Sequence, residues 1–415
     1  MMNYVWLGLV AIAVIIGAFT GNIENVTKGA LDSASTAVDI SLGLIGVMTL
    51  WLGIMKIAEE AGLVKLLAKA IRPISSFLFP AVPHDHPAMG AMVLNLAANW
   101  LGLGNAATPL GIKAMEELQK LNPQKDTASD SMIMFLALNT ASITLIPMTI
   151  IAVRASLNSS NPAEIIGTTI FSSGIATLTA VITVKIISTF QGGLAGLGST
   201  LRRSLRGIFI FLAVVLAITV FMVSGMASRV SGFLPHDFFK NGILFVSKWA
   251  IPFLLFVIPM LAFTKKIQVY EVFVDGAKEG FDVAIKIIPY LVAILFAIGM
   301  FRASGAMDFF VKILSPVTTL IGMPAEILPA ALMRPLSGSG ALGIITELIK
   351  AHGPDSFIGR LASTIYGCTE TTFYVIAVYF GAVQVKKTRY AIPAGLIADA
   401  AGVLAAVFIC RIIFL

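Results

Sequence analysis

The stretch NLAANWLGLGNAATP, residues 95–109, decides the fold class, because it interrupts an uncharged apolar run with polar side chains and helix breakers. Asn95 and Asn99 lie one helical turn apart, and glycines and a proline break the helix around Asn105 and Thr108. Inside a bilayer, unwound backbone is tolerated only where it is buried in protein or lines a wet cavity. The pattern predicts a re-entrant hairpin whose carboxamides bind an uncharged polar ligand, with helix packing through small residues as the alternative.

The composition around this stretch is that of an all-α polytopic membrane protein. Of 415 residues, 57% are hydrophobic and 12% are charged, and the mean hydropathy is +0.92, which excludes a soluble globular domain. A helix that crosses a bilayer needs about 20 apolar residues, and the uncharged runs predict about nine or ten hydrophobic elements. These runs are 1–23, 40–55, 87–112, 131–153, 165–184, 207–228, 249–264, 287–301, 371–385 and 390–410, the last interrupted by Asp399.

The charged and reactive residues argue against nucleic acid, cofactors and catalysis. The 29 Lys and Arg residues are spread through short connections between apolar runs, so the net charge of +7 reflects membrane topology rather than a nucleic-acid partner. Cys368 and Cys410 offer neither a metal-ligand spacing nor a disulfide framework, and His84 and His86 lack a third ligand nearby. The sequence carries no nucleophile-elbow, P-loop or dinucleotide motif, and we therefore expect no enzyme, no cofactor and no metal.

The chain contains an internal repeat. Gly62, which precedes an amphipathic segment, matches Gly305, and VITVKII at 181–187 matches VFICRII at 407–413. Each repeat is predicted to contain an interfacial helix, an interrupted hydrophobic pair, a second interrupted segment and a closing helix. This is the pattern of transporters that are built from structural repeats.

Loop charges and crossing parity orient the repeats. When most basic residues are placed in the cytoplasm, each repeat crosses the bilayer an odd number of times, and two linking helices at 207–228 and about 241–264 join them. An odd repeat followed by an even linker makes the second repeat inverted. We predict a first repeat at 1–190, a linker with an added transmembrane helix at 191–240 and a second repeat at 241–415.

Two breaks interrupt apolar runs at matching positions of the repeats, and the first is LNTASITLIP at 138–147. Four polar residues precede its proline, namely Asn139, Thr140, Ser142 and Thr144. This composition is typical of a helix that is broken in the middle of a membrane. Hydroxyl groups in such helices often hydrogen-bond to their own backbone carbonyls, so a purely structural role is the alternative for about half of the four.

The second break is YGCTETTF at 366–373, where Glu370 is flanked by threonines that include Thr369 and Thr372. A carboxylate at the centre of a membrane helix costs about 2.5–3.5 kcal/mol, which favours a functional role for Glu370. It can carry a proton, bind a cation with the neighbouring hydroxyl groups, or hydrogen-bond the substrate. Asp399 in the closing helix poses the same question, with a structural partner as the alternative.

The stretch RPLSGSGALG at 334–343 aligns with the first hairpin tip and places Arg334 close to Ser337 and Ser339. A guanidinium inside a membrane protein requires an acidic partner, a cluster of carbonyls or an anionic ligand. We therefore include these three residues among the candidates for substrate binding. The alternative is that Arg334 caps the hairpin or pairs with Glu347.

These segments resemble a fusion of the bacterial spore maturation proteins A and B, and the resemblance covers nearly all of the chain. LGIMKIAEEAGL at 52–63 and PHDHPAMGAM at 83–92 are similar to the A protein. FRASGAMDFF at 301–310 and TETTFYVIAVYFGAV at 369–383 are similar to the B protein. Both proteins belong to a wider group with nucleoside-recognition or gate domains.

That group resembles the concentrative nucleoside transporters, which use inverted repeats with interfacial helices, re-entrant hairpins and unwound helices. The resemblance implies hairpin tips at 102–109 and 336–340. It also implies unwound segments at 139–147 and 368–372. Substrate would bind between the tips and the unwound segments.

We expect a secondary transporter that moves a small polar molecule across the bacterial inner membrane by alternating access, with H⁺ or Na⁺ as coupling ion. A scaffold or assembly factor for the cell envelope or spore maturation is the alternative, and a homo-oligomer is compatible with both. Transport predicts a water-filled cavity lined by Asn105, Thr108, Ser337 and Glu370. The carboxylate of Glu370 should lie near Asn139 of the other repeat, and the linking helices, with Phe221 and Phe256, should be peripheral.

Overall fold

The computed structural model describes residues 2–102, 104–191 and 236–415, and within these ranges the chain is helical and contains no β-strand. The helices of the first half are α1 (Met2–Thr20), α2 (Ile23–Glu60), α3 (Leu63–Leu78), α4 (Pro87–Trp100), α5 (Gly104–Leu121), α6 (Asp130–Thr140), α7 (Met148–Ser156) and α8 (Ile166–Gln191). The helices that follow are α9 (His236–Thr264), α10 (Val269–Ala303), α11 (Ala306–Leu320), α12 (Leu328–Met333), α13 (Gly338–His352), α14 (Phe357–Cys368), α15 (Thr372–Ala382) and α16 (Ala391–Phe414). A 3₁₀ turn, Ala325–Ile327, precedes α12.

Two glycines in the left-handed region begin the amphipathic helices at equivalent places. Gly62 has φ +75° before α3, and Gly305 has φ +81° before α11, a conformation that glycine adopts without a Cβ clash. The chain bends by 83° between Ile288–Ala303 and Ala306–Pro316. The amphipathic segment that the sequence predicts after each glycine is therefore a separate helix, and its position at a membrane interface stays a prediction.

Equivalent helices of the two halves pack antiparallel. Near the start of α2, Gly29 lies against Gly299 near the end of α10, where a Cβ on Gly29 would lie 3.0 Å from the Gly299 carbonyl oxygen. Near the end of α2, Gly53 lies against Phe273 near the start of α10. The closing helices α8 and α16 also pack antiparallel, since Phe171 near the start of α8 lies against Phe408 near the end of α16. Inverted repeats require such pairs, and superposition of the whole repeats stays a prediction.

Three helices of the described ranges are long and apolar enough to cross a membrane, namely Ile23–Glu60, Ile166–Thr189 and Ala391–Phe414, with a fourth if the bent α10–α11 pair is one span. The uncharged run 87–112 is divided into α4 and α5, and the run 131–153 into α6 and α7. The described residues therefore contain fewer uninterrupted spans than the nine or ten predicted hydrophobic elements, because helix-breaking residues divide these runs.

The second predicted linking helix is α9, which begins at His236 within the predicted linker rather than near residue 241. Its Phe256 side chain is exposed, as expected for a peripheral helix. The first linking helix, 207–228 with Phe221, lies outside the described residues, as does most of the 191–240 linker.

Candidate substrate and ion site

The predicted breaks of the two halves lie against each other. Helix α6 ends at Thr140 and α7 begins at Met148, while α14 ends at Cys368 and α15 begins at Thr372. The backbone N–H of Glu370 donates a hydrogen bond to the Thr140 carbonyl oxygen at 2.7 Å. The Thr140 carbonyl has no hydrogen-bond partner within α6 because the helix ends there. It therefore accepts the bond that joins the first half to the second.

Each hairpin tip is hydrogen-bonded to the break of its own half. The N–H of Leu145 donates to the Trp100 carbonyl at 3.1 Å, and the N–H of Phe373 donates to the Pro335 carbonyl at 3.0 Å. Gly102 has φ +75°, and a Cβ there would lie 2.9 Å from a carbonyl oxygen of the first break. Glycine is therefore required at the first tip, and all four interruptions form one contiguous cluster.

Neutral carboxamides line the first-half side of the cluster. Asn99 Nδ2 donates to Asn139 Oδ1 at 2.7 Å, and the Tyr379 hydroxyl donates to the same oxygen at 3.2 Å. Asn95 Nδ2 donates to the Ala107 carbonyl at 2.7 Å and to the Tyr379 hydroxyl at 3.2 Å. The network links the first hairpin, the first break and α15 of the opposite half.

Arg334 dominates the second-half side and is buried. Its guanidinium donates to the Thr369 carbonyl, donates to Thr371 Oγ1 at 3.2 Å, and lies 3.5 Å from Glu370 Oε2. It also stacks over the Tyr366 ring at 4.5 Å from the ring centroid. One carbonyl, one hydroxyl and an acidic partner thus surround the guanidinium, which inside a membrane protein requires such groups.

The alternative pairing of Arg334 with Glu347 is wrong. Glu347 is instead 3.0 Å from Arg302. Position in sequence suggested the pair because both residues lie in the second hairpin, but the tip turns Arg334 toward the break at 369–371 while Glu347 lies on α13.

The two candidate acids differ in burial. Glu370, the stronger candidate by its threonine flanks, has a side chain that is 54% exposed, whereas Asp399 is 4% exposed. Asp399 Oδ2 accepts a hydrogen bond from Thr372 Oγ1 at 2.5 Å. Asp399 thus has the structural partner that the alternative required, and it still has a second carboxylate oxygen facing the interior.

Several buried polar atoms around this point have no hydrogen-bond partner among the described residues. They are Asp399 Oδ1, Thr140 Oγ1, Thr369 Oγ1 and Arg334 Nε. A Cβ on Gly395, one turn before Asp399, would lie 2.7 Å from the Thr372 methyl group and 3.5 Å from that of Thr140. The missing side chain lets α16 approach both breaks closely enough for Asp399 to face them.

The remaining predicted residues are spread more widely. Ser337 Oγ caps α13 by accepting from the Gly340 N–H at 3.0 Å and lies 3.4 Å from Ser339 Oγ. Thr108 is half-buried on α5, and the Asn105 side chain lies outside the described part of the chain. Ser142 and Thr144 bond to local backbone carbonyls at 3.4 Å, which agrees with their structural alternative.

A cavity of about 570 Å³ reaches the second hairpin tip from the side. It is lined by Ser337 and Ser339 together with Trp6 and Leu7 of α1 and Tyr290 of α10. The predicted cavity combined Ser337 with Glu370, and this cavity does not, because Glu370 is not among its lining residues. Helix α1 and Tyr290 of α10 lie beside the tip instead.

A family model described as nucleoside recognition, named Gate, matches residues 41–157 and 284–386, which together make up more than half of the chain. The chain belongs to the Gate nucleoside-recognition family. The two matched regions of this Gate protein include both hairpin tips and both breaks, with Asn139 in the first and Glu370 in the second. Asp399 lies outside them.

Curated relatives match the Gate protein in the same two-part manner. Spore maturation protein A of Bacillus subtilis (strain 168) is 48% identical over 182 residues, which are 44% of this chain and 93% of the relative. Spore maturation protein B of the same organism is 52% identical over 164 residues, which are 40% of this chain and 92% of the relative. Inner membrane protein YjiG of Escherichia coli (strain K12) is 32% identical over 85 residues, 20% of this chain and 56% of the relative. No solved structure matches.

These similarities are consistent with a fusion of an A-like and a B-like half, as the sequence motifs suggested. Together with the apolar helices, they support a membrane protein. Sequence reasoning missed Tyr379, which bridges Asn95 and Asn139. The local signal was Tyr379 in the largely apolar segment YVIAVYF at 374–380, because a tyrosine ring needs a hydrogen-bond partner when it is buried.

Proposed function

We propose that this Gate protein is a multi-pass secondary transporter that moves a small polar molecule across the bacterial inner membrane by alternating access between two inverted repeats. The observation that carries the proposal is the contact between Glu370 and Thr140, which brings a broken helix of each half to one point. Transporters with inverted repeats bind substrate where discontinuous helices of the two repeats meet, because helix ends there supply free carbonyls and N–H groups.

Unpartnered polar atoms at this point support a ligand site. Leaving a buried donor or acceptor unsatisfied costs about 1–3 kcal/mol, and four such atoms from Thr140, Thr369, Arg334 and Asp399 surround the two breaks. A bound polar solute with its water supplies partners for them. Asn99 and Asn139 offer neutral hydrogen bonds on one side, and Arg334 offers a cationic donor on the other.

The same arrangement suggests where the coupling ion acts. Asp399 Oδ1 and the hydroxyl oxygens of Thr140 and Thr369 are hard oxygen ligands that suit Na⁺, and a protonated Asp399 suits coupling to H⁺. Glu370 is more exposed and faces Arg334, so its role in the proposal is to balance the positive charge of Arg334 until substrate arrives. Asp399 is therefore the ion-binding candidate, and Glu370 is the substrate-side acid.

Uptake by the purified full chain in proteoliposomes tests the proposal. Labelled nucleosides, amino acids and small carboxylates are offered with an imposed H⁺ or Na⁺ gradient, after a thermal-shift screen for ligands that stabilise the protein. Asp399→Asn and Glu370→Gln should fold but lose gradient-driven uptake, whereas Glu370→Asp should retain a part. Asp308→Asn, which changes an exposed acid on α11, is the matched control.

Two results would contradict the proposal. Unchanged uptake in both Asp399→Asn and Glu370→Gln removes the breaks from the mechanism. Failure of every solute to bind or to be taken up, with a correctly folded protein, favours the membrane assembly factor instead.

A further inference from the structure

A second cavity, of about 550 Å³, lies between α3 and the start of α4, away from the breaks. Its basic lining comes from Lys65, Lys69 and Arg72 of α3 and from His84 and His86 of the connecting loop. Asp85 also lines it, so the cations outnumber the carboxylate by three to one even with both histidines neutral. Such a cavity selects an anionic group.

The three cations lie on one face of an amphipathic helix. Lys65, Lys69 and Arg72 are spaced by four and three residues, which places them above one another on α3. On another face of the same helix, Leu66 and Phe77 are exposed. An amphipathic helix with exposed apolar residues on one face and basic residues on another lies in the plane of the bilayer at the depth of the headgroups.

The equivalent helix of the second half lacks this charge. Helix α11 also exposes apolar residues, Phe309 and Ile313, but its charged residues are Asp308 and Lys312, which cancel. An interfacial helix at this place in the fold therefore does not need a basic face. The basic face is specific to α3, and in the orientation that the loop charges predict α3 lies in the cytoplasmic leaflet, where anionic lipids concentrate.

We propose that this cavity binds the phosphate headgroup of an anionic phospholipid whose acyl chains lie along the exposed apolar face of α3. Arg72 has the planar fork that recognises phosphate, and the lysines add charge around it. Leu66 and Phe77 favour a lipid over a soluble phosphate because they offer contact to acyl chains beside the cations. The lipid would hold α3 against α4, at the base of the first hairpin.

Lipid binding to the purified full chain tests the proposal without any transport measurement. The midpoint of thermal unfolding and retention of lipid in native mass spectrometry are recorded with phosphatidylglycerol and with phosphatidylcholine of the same acyl chains. Phosphatidylglycerol should raise the midpoint and remain bound. The double change Lys69→Gln and Arg72→Gln should weaken its binding by about 25-fold, since each basic residue near an anionic surface contributes about a fivefold factor.

Lys312→Gln on α11 is the matched control and should bind phosphatidylglycerol like the unchanged protein. If the double variant does not fold, Lys65→Gln should still weaken binding, and added salt should weaken it further. Equal effects of the two lipids, or normal binding by a folded double variant, would overturn the proposal. Equal protection by inorganic phosphate alone would also overturn it, because the ligand would then be a soluble anion.

Discussion

The two halves of the chain meet at two loop junctions, of which one is buried and the other is exposed. In the buried junction, loop 157–165 of the first half meets loop 353–356 of the second around Arg154. The Arg154 side chain is fully buried, and its guanidinium lies 2.5 Å from Glu164 and 3.0 Å from Asp355. Side-chain charge holds this junction together.

The exposed junction joins loop 122–129 to loop 383–390. Asp126 lies 2.9 Å from Lys387, and their side chains are 53% and 70% exposed. Backbone groups also connect these loops: the Ala128 N–H donates to the Lys387 carbonyl at 3.0 Å, and two consecutive N–H groups donate to the Asp126 carbonyl at 2.9 Å.

The loops of the two junctions occupy equivalent places in the order of helices, but different chemistry holds the two junctions together. Water and salt screen the exposed ion pair, whereas the buried Arg154 guanidinium cannot exchange its partners for water. We expect the buried junction to stay fixed and the exposed junction to rearrange when the halves move.

The largest expected effect comes from Arg154→Met. Removing one partner of a buried ion cluster typically costs about 3–5 kcal/mol, because the remaining charges lose their compensation without regaining water. Here Asp355 would lose its cationic partner, and Glu164 would keep Arg360. The variant should show a strongly lowered midpoint of thermal unfolding and poor recovery from membranes. A midpoint like that of the unchanged protein would show that the buried junction does not depend on charge.

A disulfide across the exposed junction tests whether it moves. Thr127 and Lys387 are bridge partners, and residues paired in this way lie close enough for a disulfide. Thr127→Cys with Lys387→Cys should lose uptake when oxidised and recover it on reduction, while Cys368 and Cys410 are buried and should not interfere. Full uptake by the oxidised protein would mean that alternating access does not pass through this junction.

Acid should reduce the stability of the buried junction, because Asp355 becomes protonated. Burial acts to raise the pKa of the Asp355 carboxyl, but hydrogen bonds from Ser159 and Ser160 and the nearby guanidinium outweigh it and lower the pKa from 3.8 to about 2. Because the folded pKa is depressed, this stabilisation is complete above the unfolded pKa and is lost as the pH falls toward 2. When the pH is lowered from about 5 to about 2, the midpoint of thermal unfolding should fall more in the unchanged protein than in Asp355→Asn. Parallel curves would exclude this source of acid sensitivity.

The smallest effect is expected for Lys387→Gln. The change removes an exposed ion pair and leaves the backbone hydrogen bonds of the exposed junction in place. Its unfolding midpoint and its uptake should match those of the unchanged protein, since exposed pairs contribute little to stability. A loss approaching that of Arg154→Met would remove the contrast between the junctions.

Local sequence signals predicted the helix interruptions well. Gly102 and the proline at 147 act on their own stretch of backbone, so a sequence shows where a helix must end without knowledge of its neighbours. Glu370 was harder to assess, because threonine flanks and an apolar run do not reveal whether a side chain points inward. Its 54% exposure depends on how α15 and the second hairpin pack.

The sequence by itself determined that this is a helical membrane protein whose apolar runs are interrupted by polar breaks, because composition, hydropathy and backbone preference are local properties. Only the tertiary structure decided which polar groups share a site. It brings Thr140 to Glu370, Tyr379 to Asn139, and Asp399 into the interior. Contacts between distant segments depend on the packing of whole helices, and a side chain's burial follows from its neighbours in space rather than from its neighbours in the chain.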